Sequence, residues 1–294
     1  MITTQILIKN DEDRIEKTLE SILPIESTII VADLGSTDST IDICKKYNCK
    51  IISASGNRSE IRNKLLSASK TEWQFYIDPG ELLSSGHEFM NYMEGKSKRL
   101  YVVYDDIINK EVRVFNKNYK FVNPVYETLT PDDSEPINIF ISSSIQPNYL
   151  KELLLWKKEM PHLAEVDYYL ACQYLMLNSH TNFLYHAQYF LFQDSKSLYQ
   201  TIMMRYYLAQ VLLTTNTMQP KIEEATRNII YCLSQKPLMA EFWCLLGDCY
   251  NKIGMKNHAI EFFKMAIEMG KSRQTDDSYP IEFTKYGEYP NKLL

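Results

Sequence analysis

Three carboxylates stand where a parallel sheet would present them to a ligand: Asp33, Asp78 and Glu81. Asp33 closes the apolar run TIIVAD and is followed by Leu34-Gly35-Ser36-Thr37-Asp38. A carboxylate at that point accepts hydrogen bonds from a ribose or a base edge, while Gly35 permits a tight backbone turn. The helix that follows starts with free N–H groups. Helix capping accounts for Ser36, Thr37 and Asp38. It gives no reason for a carboxylate at the end of a buried strand. Asp78 ends a second run, WQFYID, and Glu81 follows it after a turn. Arg58, Arg62 and Lys64 are the nearby cations. Fixed cations of this kind can meet an anionic group of a ligand, although the same three residues also read as the solvated face of a helix.

Ordinary α/β elements are needed to position these groups. Residues 5–9 form a first predicted strand and residues 11–23 a helix. The run at 28–33 is continuously apolar, as expected for a parallel strand buried on both faces. Residues 39–47 read as a helix with Ser39 and Asp42 at capping-box spacing. Residues 57–69 read as another, opened by Asn57 and Glu60 at the same spacing. Strands at 49–53 and 73–78 complete a β-α-β-α order, which implies a mainly parallel sheet with helices on both faces. Ligands bind such sheets at the carboxyl ends of the strands, where strand order reverses. Residues 100–104 and 112–115 flank a turn at Asn109-Lys110 and suggest an antiparallel addition at the sheet edge.

After Pro147 the period becomes helical. Trp243, Leu246, Gly247 and Tyr250, followed by Ala259 and Phe263, match the tetratricopeptide pattern, with Ala266 at the next small position. One period back, about 34 residues, Ala225 and Ile229 take the same places and Pro237 closes the unit. A weaker unit holds a helix at 166–177 and then Ala187 and Leu191. Small residues let paired helices approach, and large ones fill the grooves between repeats. The expected organisation is therefore an α/β domain at 1–148, a repeat-type all-α domain at 149–275 and an extended tail at 276–294 that packs on one of them.

Composition narrows the partners. The 294 residues carry a formal net charge of −5, which gives no general attraction to nucleic acid or an anionic membrane. No apolar run approaches the roughly 18 residues of a membrane span. The start of the chain lacks the basic and apolar regions of a signal peptide, so a cytoplasmic protein is expected. The six cysteines contain no CxxC pair, and the five histidines are scattered, which argues against structural zinc.

The runs ILIKNDEDRIEKTLESIL, STIIVADLGSTDSTIDICKKY, SEIRNKLLSAS and WQFYIDPGELL, in that order, resemble the N-terminal half of family 2 glycosyltransferases with the GT-A fold. In particular they resemble the bacterial and phage subgroup whose domain is followed by tetratricopeptide repeats. The resemblance implies that Asp33 binds the uracil or ribose of a nucleotide-sugar, foremost a UDP-sugar. It implies that Asp38 shapes the same pocket, and that Arg62 and Asn63 face the diphosphate or donor sugar, with Asp78 beside them. It makes Glu127 the general base that deprotonates the acceptor, a protein or a glycan, in an inverting displacement. Asp105 and Asp106 are a rival base pair.

The pattern departs from the family where metal chemistry belongs. The family's Asp-Ala-Asp-Glu run, whose second Asp binds Mn2+ or Mg2+, is here Asp78-Pro79-Gly80-Glu81. Its His-Glu pair is Tyr126-Glu127, and residues 142–146 hold no later histidine. Asp78 and Glu81 alone would hold a hard cation weakly. Two functions of different class therefore stay open: an inverting glycosyltransferase whose repeats bind the acceptor or form a homodimer, and an impaired relative kept as a binding or scaffold module. A nucleotidyltransferase ranks behind both, because the chain has no glycine- and lysine-rich phosphate loop.

Overall fold

The computed structural model describes residues 2–85, 100–104, 110–125, 128–130, 135–143, 148–194, 196–215, 219–272 and 283–293. Tyr126, Glu127, Asp105, Asp106 and residues 144–147 lie outside the described residues. The chain forms two compact units, Met1–Pro147 and Asn148–Leu294.

The first unit is an eight-stranded sheet with helices on both faces. Its strands are β1 (Ile2–Ile8), β2 (Thr28–Asp33), β3 (Lys50–Ser53), β4 (Trp73–Tyr76), β5 (Glu81–Ser85), β6 (Leu100–Tyr104), β7 (Lys110–Asn116) and β10 (Glu135–Ser143). They lie in the order β3-β2-β1-β4-β7-β6-β10-β5, and β8 (Lys120–Val122) pairs separately with β9 (Thr128–Thr130). The half that carries Asp33 and Asp78 is parallel throughout, β3 to β2 to β1 to β4. The other half is mixed, with β7 antiparallel to both β4 and β6.

Strand alternation sorts the core between two faces. Ile6, Ile8, Val31, Phe75 and Ile77 pack against Ile15, Leu19 and Ile22 of α1 (Ile15–Ile22) and Cys44 of α2 (Thr40–Lys46). Leu7, Ile30 and Ala32 face Ile61 and Leu65 of α3 (Arg58–Ala68). Chain order runs from β1 outward to β2 and β3, then returns to β4 on the other side of β1. The carboxyl end of β1 is thus the point where strand order reverses.

The second unit is helical among the described residues. After α4 (Leu150–Glu159) come three antiparallel pairs: α5 (Ala164–Met176) with α6 (His180–Phe192), α7 (Leu198–Thr215) with α8 (Gln219–Gln235), and α9 (Ala240–Lys252) with α10 (Lys256–Lys271). The small residues of the repeat pattern, Ala187, Ala225, Ala259 and Ala266, are all buried. A Cβ on Gly247 of α9 would come within 2.5 Å of the Phe263 ring of α10, so glycine sets how closely that pair packs. Trp243 Nε1 donates to the Pro237 carbonyl at 2.7 Å and ties the start of the last pair to the end of the pair before it.

The tail departs from the extended segment expected. Residues 283–286 form a 3-10 turn and Glu288–Asn291 a short helix, α11. Both dock on the last pair. Tyr286 donates to the buried Glu241 at 2.9 Å and Tyr289 to Asp248 at 2.6 Å. The Tyr286 ring fills the space over Gly270.

Asp167 of α5 is the buried polar hub of this unit. It accepts from Lys157 at 2.6 Å and Gln193 at 3.0 Å and pairs with His186 at 2.9 Å. Burial raises its carboxyl, but the bonds from His186 and Lys157 outweigh that and hold it below its ordinary value.

Two outcomes follow. Gly247→Ala should destabilise the helical unit by about 1–3 kcal/mol through overpacking against Phe263, read as a lowered Tm. Because the Asp167 carboxyl is held low in the folded state, its stabilisation is present above the unfolded value, about 4. It is lost as pH falls through the folded value. The Tm gap between wild type and Asp167→Asn should therefore be full at neutral pH and close in acid.

Candidate functional site

Two loops meet at the carboxyl ends of β1 and β2. Asp33, 8% exposed, uses one oxygen to accept from the Ser36 backbone N–H at 2.9 Å. That bond closes the turn at Gly35, whose φ is +93°. The second Asp33 oxygen makes no hydrogen bond among the described residues.

The rest of the loop is stapled to the one after β1. Asn10 accepts from the Thr37 N–H at 2.8 Å, and Glu12 accepts from the Ser39 N–H at 2.9 Å. Asp11 N–H donates to Thr40 Oγ1 at 2.7 Å. Asp38 accepts from the Glu12 N–H at 3.2 Å and from Thr40 Oγ1 at 2.5 Å. Burial pushes the Asp38 carboxyl up, and these bonds prevail to leave it below its ordinary value. Asp38 therefore holds two loops together, its carboxylate committed to the protein. It also displaces the expected Ser39–Asp42 capping box: Ser39 makes no side-chain cap, and the Thr40 N–H goes to Asp38.

One strand away from β1 a second set of charges gathers on the α3 face of the sheet. Gln74, Tyr76 and Asp78 point to that face by alternation, and Arg58 and Arg62 project from α3 one turn apart. The capping box of Asn57 and Glu60 is present and fixes where α3 begins. Arg62 is fully buried and donates to Asp78 Oδ1 at 2.5 Å and to the Gln5 carbonyl at 3.4 Å. Arg58 donates to Asp78 Oδ2 at 2.8 Å. Arg113, on β7, forms a bidentate pair with Glu81 at 2.9 and 2.7 Å. Arg62 and Arg113 both lie over the Tyr76 ring, at 4.5 and 4.6 Å.

Burial alone would raise Asp78, but Arg62, Arg58 and Arg113 hold its carboxyl well below the usual carboxylate range. Burial raises Glu81, with Arg113 pulling against it and the Asp78 charge pushing with it.

Other expected residues have different work. Asn63 lies one residue beyond Arg62 on the helix and faces elsewhere. Its amide donates to the Phe121 carbonyl and accepts from the Phe121 N–H, both at 2.9 Å, and so clamps β8 to α3. Lys64 donates to the Ser55 carbonyl at 2.8 Å, apart from the carboxylates. A cavity of about 520 Å³ lined by Asn63, Leu66, Lys117 and Lys120 lies at the carboxyl end of α3, near the amino ends of the strands. It sits at the opposite edge of the sheet from Asp33 and Asp78. Arg113, by contrast, belongs to the charged cluster. Its register beside β4 was the available signal, since Val114 pairs with Phe75 and the next pair places Arg113 beside Tyr76.

The family model described as glycosyl transferase family 2 matches residues 5–153. The chain belongs to that family. Among curated proteins it is similar to the SPbeta prophage-derived glycosyltransferase SunS of Bacillus subtilis, 36% identical over 87 residues that cover 28% of this chain and 21% of SunS. It is also similar to an uncharacterized glycosyltransferase of Rickettsia typhi, 28% identical over 151 residues, 43% of this chain and 50% of that protein. The chain thus spans half the length or less of these relatives. Among solved structures, glucosyl-3-phosphoglycerate synthase from Mycobacterium tuberculosis is similar over 52% of this chain and 74% of its own, with a TM-score of 0.42 and 16% identity.

The residues present do not fit the divalent cation that the family resemblance implies. Asp78-Pro79-Gly80-Glu81 folds as a type II β-turn: the Glu81 N–H donates to the Asp78 carbonyl at 3.0 Å, and Gly80 has a φ of +92°. Gly80, where the second aspartate would stand, is buried, and its N–H donates to Thr18 Oγ1 at 2.9 Å. Thr18 in turn donates to the Glu81 carbonyl at 2.9 Å. All four carboxylate oxygens of Asp78 and Glu81 carry guanidinium bonds. Among the described residues no three His, Cys, Asp or Glu side chains are placed to share an ion.

Gly80→Asp should therefore lower stability by about 1–2 kcal/mol, the cost of left-handed backbone for an L side chain, and create no Mn2+-dependent rise in Tm. Arg62→Met should cost about 1–3 kcal/mol, because Asp78 keeps Arg58 but loses the buried partner at 2.5 Å. Thermal denaturation measures both.

Proposed function

We propose that this chain transfers a sugar from a nucleoside-diphosphate sugar, foremost a UDP-sugar, to a hydroxyl acceptor on a protein or a glycan. The observation that carries the reading is Asp33. It is a nearly buried carboxylate at the point where strand order reverses, with one oxygen committed to the Gly35 turn and the other open. A carboxylate so placed accepts from ribose or from a base edge. Across β1 from it, beyond the carboxyl end of β4, stand Arg58 and Asp78.

In this reading Asp33 holds the nucleoside end and the Arg58–Asp78 pair lies beside the diphosphate. Glu127, assigned from the family pattern, accepts the proton of the acceptor hydroxyl as its oxygen attacks the anomeric carbon. The bond from that carbon to the diphosphate breaks on the opposite face, so configuration inverts and the nucleoside diphosphate leaves. The helical unit would bind the acceptor or a second copy. It carries a groove of about 530 Å³ lined by Leu175, Val211, Leu245, Asn251 and Lys252 of α5, α7 and α9. No helix among the described residues is long and apolar enough to cross a membrane.

The second reading, a binding module without turnover, is favoured by the Gly80 turn and by the guanidinium bonds on Asp78 and Glu81. Calorimetry with UDP, GDP and CMP, followed by hydrolysis and transfer assays with their sugars, separates the two. The enzyme reading expects binding of one nucleotide and turnover of its sugar, with Asp33→Ala weakening affinity at least about tenfold. Binding without any turnover supports the module. Absence of binding to every nucleotide overturns the enzyme reading.

A further inference from the structure

We infer that Arg58 occupies the role of a metal ion in this site, and that the chain binds its nucleoside diphosphate without a divalent cation. The inference rests on the nucleotide reading above and says how the diphosphate charge is met.

A divalent cation at Asp78 and Glu81 would have to share oxygens that each already accept from Arg62, Arg58 or Arg113. Arg62 is 0% exposed and Arg113 4%. A dication brought against these oxygens would face two desolvated guanidiniums of like charge, a repulsion that burial strengthens. A hard cation also needs several oxygen ligands. Gly80 supplies none, and its φ of +92° belongs to a turn that favours glycine.

Exposure decides which cation meets the ligand. Arg62 and Arg113 are sealed beneath Tyr76 and the sheet, so they set the potential without touching solvent. The Arg58 and Asp78 side chains, 18% and 25% exposed, are where this cluster opens outward. Asp78 is thereby an anchor: it fixes the Arg58 guanidinium at the carboxyl end of β4. A planar guanidinium binds two phosphate oxygens at once, and its charge does not titrate in the working range of a protein.

The test is calorimetric titration of the full chain with UDP and GDP, in EDTA and again in Mn2+, beside the bare nucleosides uridine and guanosine. The expected result is a nucleotide Kd that changes by less than about threefold between EDTA and Mn2+. Arg58→Gln should weaken the diphosphate at least about tenfold, the worth of a charge-assisted bond, and leave nucleoside affinity unchanged. Arg58→Lys should fall between, keeping the charge and losing the fork. Binding that requires Mn2+, or Arg58→Gln that binds the diphosphate as wild type does, overturns the inference and leaves the nucleotide reading intact. Failure of both nucleotides with and without Mn2+ removes the nucleotide reading and this inference with it. Should Arg58→Gln fail to fold, the wild-type comparison of EDTA with Mn2+ decides.

Discussion

The arrangement of the first unit hangs on one constraint: the guanidinium of Arg62 is wholly buried and must be neutralised where it lies. Taking a charge out of water costs several kcal/mol unless an opposite charge and further hydrogen bonds meet it. Asp78 and the Gln5 carbonyl do so from β4 and β1. Helix α3 is therefore registered on the parallel half of the sheet by an ion pair as well as by the apolar contacts of Ile61 and Leu65. Asp78 then has a second oxygen to satisfy, and Arg58, one helical turn earlier, reaches it. The pair at the surface is a consequence of the pair beneath it.

The same logic extends across the sheet. Tyr76 gives two guanidiniums an aromatic surface to lie on, one from the helix above and one from the neighbouring strand. Arg113 brings Glu81 with it, and Glu81 also accepts from the Asp78 backbone N–H at 2.8 Å. The turn between the two carboxylates is thus fixed at both ends, and Thr18 of α1 holds its middle. On the other side of β1, the loops at residues 9–13 and 34–39 hold one another through backbone N–H groups and short polar side chains. Asp33 stands between these two rigid neighbourhoods.

Much of this was legible in the residues. The run TIIVAD gave its strand to the residue, because an apolar stretch that long suits only an element buried on both faces. The Asn57–Glu60 capping box and the Gly247–Phe263 spacing were read correctly, since both are local patterns with one good geometry. Spacing alone misleads where the folded loop offers a different partner, near or far along the chain. Ser39 and Asp42 have capping-box spacing, but the first N–H groups of α2 are met by Glu12 and Asp38. Asn63 follows Arg62 directly, yet one helical step of about 100° turns it toward Phe121 and out of the charged cluster. Strands β5 and β10 and the docking of Tyr286 and Tyr289 depend on contacts between residues distant in sequence, and no local period announces them.

The turn at Gly80 and the guanidinium cluster are best understood as one feature. An aspartate at position 80 would add a third carboxylate beside two that are half-buried, and a further positive charge would be needed to balance it. Without that side chain the remaining carboxylates can be balanced by protein charges alone, and Arg58, Arg62 and Arg113 do so. The type II turn then becomes available, since Pro79 suits its second position and Gly80 its third. The turn directs the Gly80 N–H to Thr18 and brings Glu81 to Arg113, so that both Glu81 oxygens accept from one guanidinium. An aspartate at position 80 would meet a left-handed backbone and two carboxylates already paired with arginines.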